Sequence, residues 1–236
     1  VALAVINGTP DFSNECVGSL HDSPGTGLVC SGTLIHESWV LTSAQCALSQ
    51  PNLFVMGRDW AVDPRVYIVD HIVVHPSWTG TEVFDFAMAH VVDPVPAEPV
   101  CVPLTMPEDN VNAGTLLTHV GYGLVSYPSG ITTERHYTVN TVSQLDSTAI
   151  MFLIPTSGPC LGDQGGPALT AGDQRVAGVV STIDGTGSQW VIDGRVSAVD
   201  ATFIEPTILT YSGVVHDGFE LGDTSRWSVT VGLSLR

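Results

Sequence analysis

The residues with the clearest chemical purpose lie in one short run, Cys160-Leu161-Gly162-Asp163-Gln164-Gly165-Gly166-Pro167. Its glycines let the backbone take turns that side chains forbid. They also let two backbone N–H groups converge on a developing oxyanion, and an aspartate such as Asp163 can anchor the loop. Gln164, at the centre of the run, carries an amide. An amide has no ionisable proton and is not an activated nucleophile of the serine or cysteine kind. A second chemical signal is Asp85, a lone acid entering the apolar stretch Phe84–Val91. Such an acid is costly to bury unless something donates hydrogen bonds to it. His71 and His75 stand four apart, a spacing that suits a metal on a helix. In a strand that spacing separates them by roughly 13 Å, so no metal site is assigned. No cofactor is expected.

The elements that must position these groups read as strands. Between Pro51 and Pro76 the chain alternates apolar and polar residues, as in Val66-Tyr67-Ile68-Val69, which marks half-buried strands. Gly and Pro punctuate short apolar runs throughout, and only 13% of residues are charged. That is the composition of a turn-rich β protein. At 236 residues the chain fits one large or two small domains. Its formal net charge is −17, with seven arginines and no lysine. So acidic a surface repels nucleic-acid phosphates, and nucleic acid is excluded as a partner. No apolar run reaches the roughly 20 residues that span a bilayer.

Five cysteines favour an oxidising compartment. Ala2-Leu3-Ala4 is an A-x-A triplet of the type cleaved by signal peptidase. A frayed terminal strand accounts for Val1–Ala4 equally well. Secretion or a periplasmic location is therefore the expectation.

The glycine-rich run resembles the G-D-S-G-G-P loop that presents the nucleophile in trypsin-like serine proteases. Cys30–Cys46, with Ser31-Gly32-Thr33-Leu34-Ile35 and Trp39-Val40-Leu41-Thr42-Ser43-Ala44-Gln45 between them, resembles that family's C-G-G-x-L-I…W-V-L-T-A-A-H-C segment. Phe84–Val91 resembles its D-I-A-L-L-x-L strand, and Val120-Gly121-Tyr122-Gly123 its G-W-G strand. The resemblance covers about residues 5–212 and implies an all-β fold of two antiparallel barrels meeting at a cleft. Barrel one spans about 5–95 and barrel two about 111–200, with the Pro-rich stretch Val92–Val102 linking them. It further implies Cys30–Cys46 and Cys16–Cys101 disulfides, with Cys160 left as a buried, inert thiol. The triad positions become Gln45, Asp85 and Gln164, and the oxyanion donors Gly162 and Gln164. The substrate cleft maps to Gly158, Pro159, Ser181, Thr182, Ile183 and Gly194. Asp163 maps to the acid that pairs with the amine freed at the mature terminus, here Val5-Ile6-Asn7-Gly8. Ala198–Pro206 maps to the terminal segment, where the helical pattern is weak.

Residues 214–236 lie beyond the family's usual end. Asp217–Ser228 looks like the D-G-F-E-S-G-D-x-S-x-W-S tail of some secreted bacterial proteins. Trp227 with alternating Val229, Val231 and Leu233 reads as one added strand in this 214–236 tail.

Where the family carries a general-base histidine and a serine, this chain carries two glutamines. Gln45 can donate to Asp85 through its NH₂, but an amide oxygen is far too weak a base to take a proton near neutral pH. Loss of either group alone costs a serine protease about 10⁶ in turnover. The expectation is a secreted pseudoprotease that binds peptide or protein in the old cleft or on its rim. The alternative is a residual or substituted hydrolase.

Overall fold

The computed structural model describes residues 5–22, 28–95, 99–126, 130, 132–154, 156–184 and 190–212. The tail at 214–236 and residues 1–4 lie outside the described residues.

Two kinds of strand can be told apart by their burial. His136–Leu145 alternates buried and exposed side chains along most of its length, as a strand with one face on a core must. Leu28–His36 and Trp39–Thr42 are buried on nearly every side chain. They have a core on each face, and this places them at the seam of the molecule.

In chain order the strands are β1 Thr9–Pro10, β2 Val17–His21, β3 Leu28–His36, β4 Trp39–Thr42, β5 Leu53–Met56, β6 Arg65–Val74 and β7 Ala87–Val91. They continue as β8 Leu116–Gly121, β9 His136–Leu145, β10 Ala149–Leu153, β11 Pro167–Thr170, β12 Val176–Ile183 and β13 Trp190–Arg195. Strands β2-β3-β4-β7-β6-β5 close into one antiparallel barrel. The remainder run β9-β10-β13-β12-β11-β8, and a β8–β9 pairing joins the ends of that row into a second barrel, with β1 added on β9. The all-β, two-barrel architecture expected from the sequence is the one found.

Three apolar clusters account for the packing. Leu20, Leu34, Phe54 and Met56 fill barrel one, and Leu117, Val142, Phe152 and Val180 fill barrel two. The third cluster, including Trp39, Leu41, Phe86, Met88, Tyr122, Val176 and Phe203, lies between the barrels. Truncating a fully buried Phe such as Phe86 at such a place costs about 3–5 kcal/mol. The seam is therefore a core in its own right, and groups placed across it are held rigidly.

Disulfides join Cys16 to Cys101 and Cys30 to Cys46. The first ties the inter-barrel connection to barrel one, where Cys101 N–H also donates to the Leu34 carbonyl. Two residues on, Pro103 bridges Val176 of barrel two. Cys160 is free and buried, and burial pushes its thiol up to about 11.

The C-terminal segment differs from its weak sequence pattern. After β13, Val196–Ala198 forms a 3₁₀ turn, Asp200–Ile204 a π-helical turn and Glu205–Ser212 an α-helix, designated α2. Phe203 and Ile204 are buried at the seam, so tertiary packing supplies what periodicity does not. Val196-Ser197 turns directly after β13. Asp109 accepts from both Arg195 Nε and Ser197 Oγ and draws the chain round.

Candidate functional site

Asp85 lies just before β7, follows a Phe84 with φ of +56°, and is 1% exposed. Three donors surround its carboxylate. Gln45 N–H donates to Oδ1 at 2.9 Å, Gln45 Nε2 to Oδ2 at 2.8 Å and Ser181 Oγ to Oδ2 at 2.6 Å. Gln45 sits in a single helical turn, α1 (Ala44–Ala47), that follows β4 directly. Its Nε2 makes a further bond to the Ser181 carbonyl at 2.5 Å. An NH₂ group has two hydrogens, and both are committed to Asp85 and Ser181. What remains of the side chain for the cleft is an amide oxygen.

The loop around Gln164 is built on positive φ and close approach. Gly162 has φ +96°, and a Cβ there would lie 2.9 Å from Gly123 Cα. Gly165 has φ +79°, and its Cβ would lie 2.0 Å from Thr42 Oγ1. Only glycine fits either position. Barrel one grips the loop through Ser31 of β3. Its N–H donates to the Gln164 carbonyl at 2.9 Å, and its Oγ to the Gly162 carbonyl at 2.9 Å. Barrel two holds it through Gly165 N–H, which donates to Val180 O at 2.8 Å.

The Gln164 side chain folds back into its own loop. Its Oε1 accepts the Gly162 N–H at 2.8 Å. Gly162 N–H is one of the two groups expected from sequence to receive an oxyanion, and in this structure the amide oxygen of Gln164 takes it up. The chain satisfies its own donor with an uncharged acceptor.

Asp163, next to it, is buried. It accepts N–H bonds from Gly123 on Oδ1 and Cys160 on Oδ2, both at 2.8 Å. Among the described residues no ion pair reaches it. Burial pushes its carboxyl up to about 7, against the opposing pull of the two N–H donors and of the nearby His119. The N-terminal segment does approach this region: Val5 is fully buried, and Ile6 bridges Gly158, whose N–H donates to Ile6 O at 3.2 Å.

The residues mapped to a substrate cleft differ in burial. Gly158 and Pro159 are buried, and a Cβ on Gly158 would strike Ile154. Ser181 is buried against Asp85, while Thr182 and Ile183 are half-buried at the end of β12. Gly194 lies against the Phe86 ring, 2.6 Å from where its Cβ would be. A cavity of about 490 Å³ opens beside Gln164. It is bounded by Gln45, Gly162 and Gln164 together with Leu28, Tyr122 and Leu161. Sequence reasoning missed its apolar wall. Single leucines at strand ends and loops look the same whether they line a cavity or a core.

A model of the trypsin family, described simply as Trypsin, matches residues 5–199. The chain belongs to the trypsin family. It is 27% identical to human Kallikrein-12 over 191 residues, covering 71% of this chain and 75% of that one. Trypsin 5G1 of Aedes aegypti is 30% identical over 178 residues, 66% of each chain. Limulus clotting factor C of Carcinoscorpius rotundicauda is 26% identical over 208 residues, 72% of this chain but 19% of that protein. Among solved structures, human heparin binding protein superposes with a TM-score of 0.76 at 18% identity, over 86% of this chain and 96% of that one.

Two outcomes follow from the geometry. Gln45→His with Gln164→Ser restores a base beside Asp85 and removes the amide oxygen from Gly162 N–H. The double variant is expected to label with a fluorophosphonate, and each single variant to label at least about a thousandfold more slowly, because triad members act as a unit. Equal labelling of one single variant contradicts the mapping. The second outcome concerns Asp163. An acid raised in the folded state contributes stability that is fully present below its ordinary 3.8 and lost as pH rises through about 7. Urea unfolding from about pH 5 to about pH 8 should cost the wild type up to a few kcal/mol relative to Asp163→Asn. Parallel pH profiles would contradict this.

Proposed function

We propose that this chain is a non-proteolytic member of its family, secreted or periplasmic, that binds a peptide or protein segment beside the old reaction centre. The observation that carries the reading is the bond from Gly162 N–H to Gln164 Oε1. A protease needs that donor for charge developing in the transition state. Here it is engaged by a side chain that cannot act as the nucleophile. Gln45 is held in the base's place by Asp85 and Ser181, yet it cannot take a proton near neutral pH.

Binding asks less than turnover. An extended segment needs backbone partners and pockets for alternate side chains. The cavity beside Gln164 offers an apolar wall from Leu28 and Leu161. The described residues that line it include no acid to pair with Arg or Lys, so small or apolar side chains are preferred. The heparin in the structural neighbour's name is not carried over, because 24 acidic against 7 basic residues repel a polyanion.

The test is a peptide library scored for both cleavage and retention. The expected result is no cleavage above background, with retention of apolar peptides that Leu161→Arg lowers at least about tenfold by putting charge on the cavity wall. Cleavage abolished by Asp85→Ala would overturn the proposal.

A further inference from the structure

Strands β6 and β7 pair antiparallel with His71 opposite His90, and the register slips between Val69 and His71. Asp70 is thus the extra residue of a β-bulge. In a regular strand Asp70 and His71 would point to opposite faces. With the bulge, both reach the same place. Nδ1 of His71 lies 2.9 Å, and Nδ1 of His90 2.8 Å, from a single oxygen, Oδ1 of Asp70. The ligating atoms of the three side chains all lie within 4.8 Å of one another. All three are open to solvent, Asp70 most of all at 45% of its side chain.

We infer that Asp70, His71 and His90 form a binding site for a divalent transition-metal ion of the zinc class. Two imidazoles and one carboxylate are a donor set that suits zinc, and three protein ligands leave a fourth position open. Imidazole nitrogen does not suit the hard cations calcium and magnesium. Tetrahedral ligands on zinc stand about 3.3 Å apart, so seating the ion requires only a small outward rotation of the exposed Asp70. The imidazoles are already held. Trp39 meets both rings edge-on, and Tyr211 of α2 lies 4.6 Å from His71 and 6.2 Å from His90 between ring centres. A net charge of −17 adds long-range attraction for any cation.

The spacing considered in the sequence, His71 with His75, is not the pair that matters. His75 stacks on Phe84, and the partner of His71 comes from the neighbouring strand. Asp85 precedes β7, and His90 lies three strand steps beyond its first residue, Ala87, about 10 Å further on. The site is therefore separate from the reaction centre, and an ion there links β6, β7 and the rings beneath Tyr211. Nε2 of His71 is buried without a hydrogen-bond partner. A ligating histidine ordinarily donates that second N–H, and the missing acceptor sets the affinity at the micromolar rather than the nanomolar level.

The test titrates the tag-free full chain with Zn²⁺ by calorimetry, and with Co²⁺ by visible absorption. One equivalent is expected, with a Kd of about 1–50 µM. Asp70→Asn and His90→Gln should each weaken it at least about tenfold. His36→Gln should leave it unchanged, and Ca²⁺ should give no heat. Asp70→Asn alters an exposed side chain and stands as the test if His90→Gln fails to fold. No binding up to about 100 µM Zn²⁺, or binding that survives both ligand substitutions unaltered, would overturn the inference.

Discussion

A carboxylate buried at a seam between two barrels needs donors from both of them, and the arrangement around Asp85 meets that need. Its oxygens take two bonds from Gln45, in the helical turn after β4 of barrel one, and one from Ser181 of barrel two. An unpaired charge at that depth would neutralise or unfold the seam. Glutamine meets this need at the position that the sequence resemblance assigns to a histidine. It offers a side-chain N–H at comparable reach, and its second hydrogen satisfies the Ser181 carbonyl. On the proposed non-proteolytic reading, structure and reactivity separate at one residue: the donor is present and the base is not.

The same separation recurs at Gln164. A loop that aims a backbone N–H at empty space carries an unsatisfied donor whenever substrate is away, and water ordinarily relieves it. In this chain Oε1 of Gln164 does so instead. Gly162 and Gly165 keep the positive φ that the loop demands, and Ser31 still grips it from barrel one. On the same reading only the group at the apex differs, with the frame left standing. Asp163 shows where the frame bears strain, as a carboxyl in full burial whose described partners are two backbone N–H groups and no cation.

Much of this was legible in the chain itself. The fold followed from spaced motifs such as Trp39–Gln45 and Gly162–Pro167, whose residue types are fixed by tight turns and by a buried acid. The Cys16–Cys101 and Cys30–Cys46 bonds came with that resemblance. Other features left no local trace. The α2 helix forms because Phe203 and Ile204 find the inter-barrel core, a contact that no periodicity reports. The cavity wall at Leu28 and Leu161 depends on which apolar side chains stay uncovered. The grouping of Asp70 and His71 with His90 depends on a one-residue register slip, and a strand read alone carries no register.

The central claim is that Gln164 closes its own oxyanion site, and amide hydrogen exchange reads that bond directly. In the wild type the Gly162 N–H should exchange slowly. In Gln164→Ala it should exchange at least about tenfold faster, the loss of one hydrogen bond of roughly 1.5 kcal/mol. The Gly165 N–H, bonded to Val180 across barrel two, should keep its rate in both. Equal exchange at Gly162 in the two proteins would contradict the account.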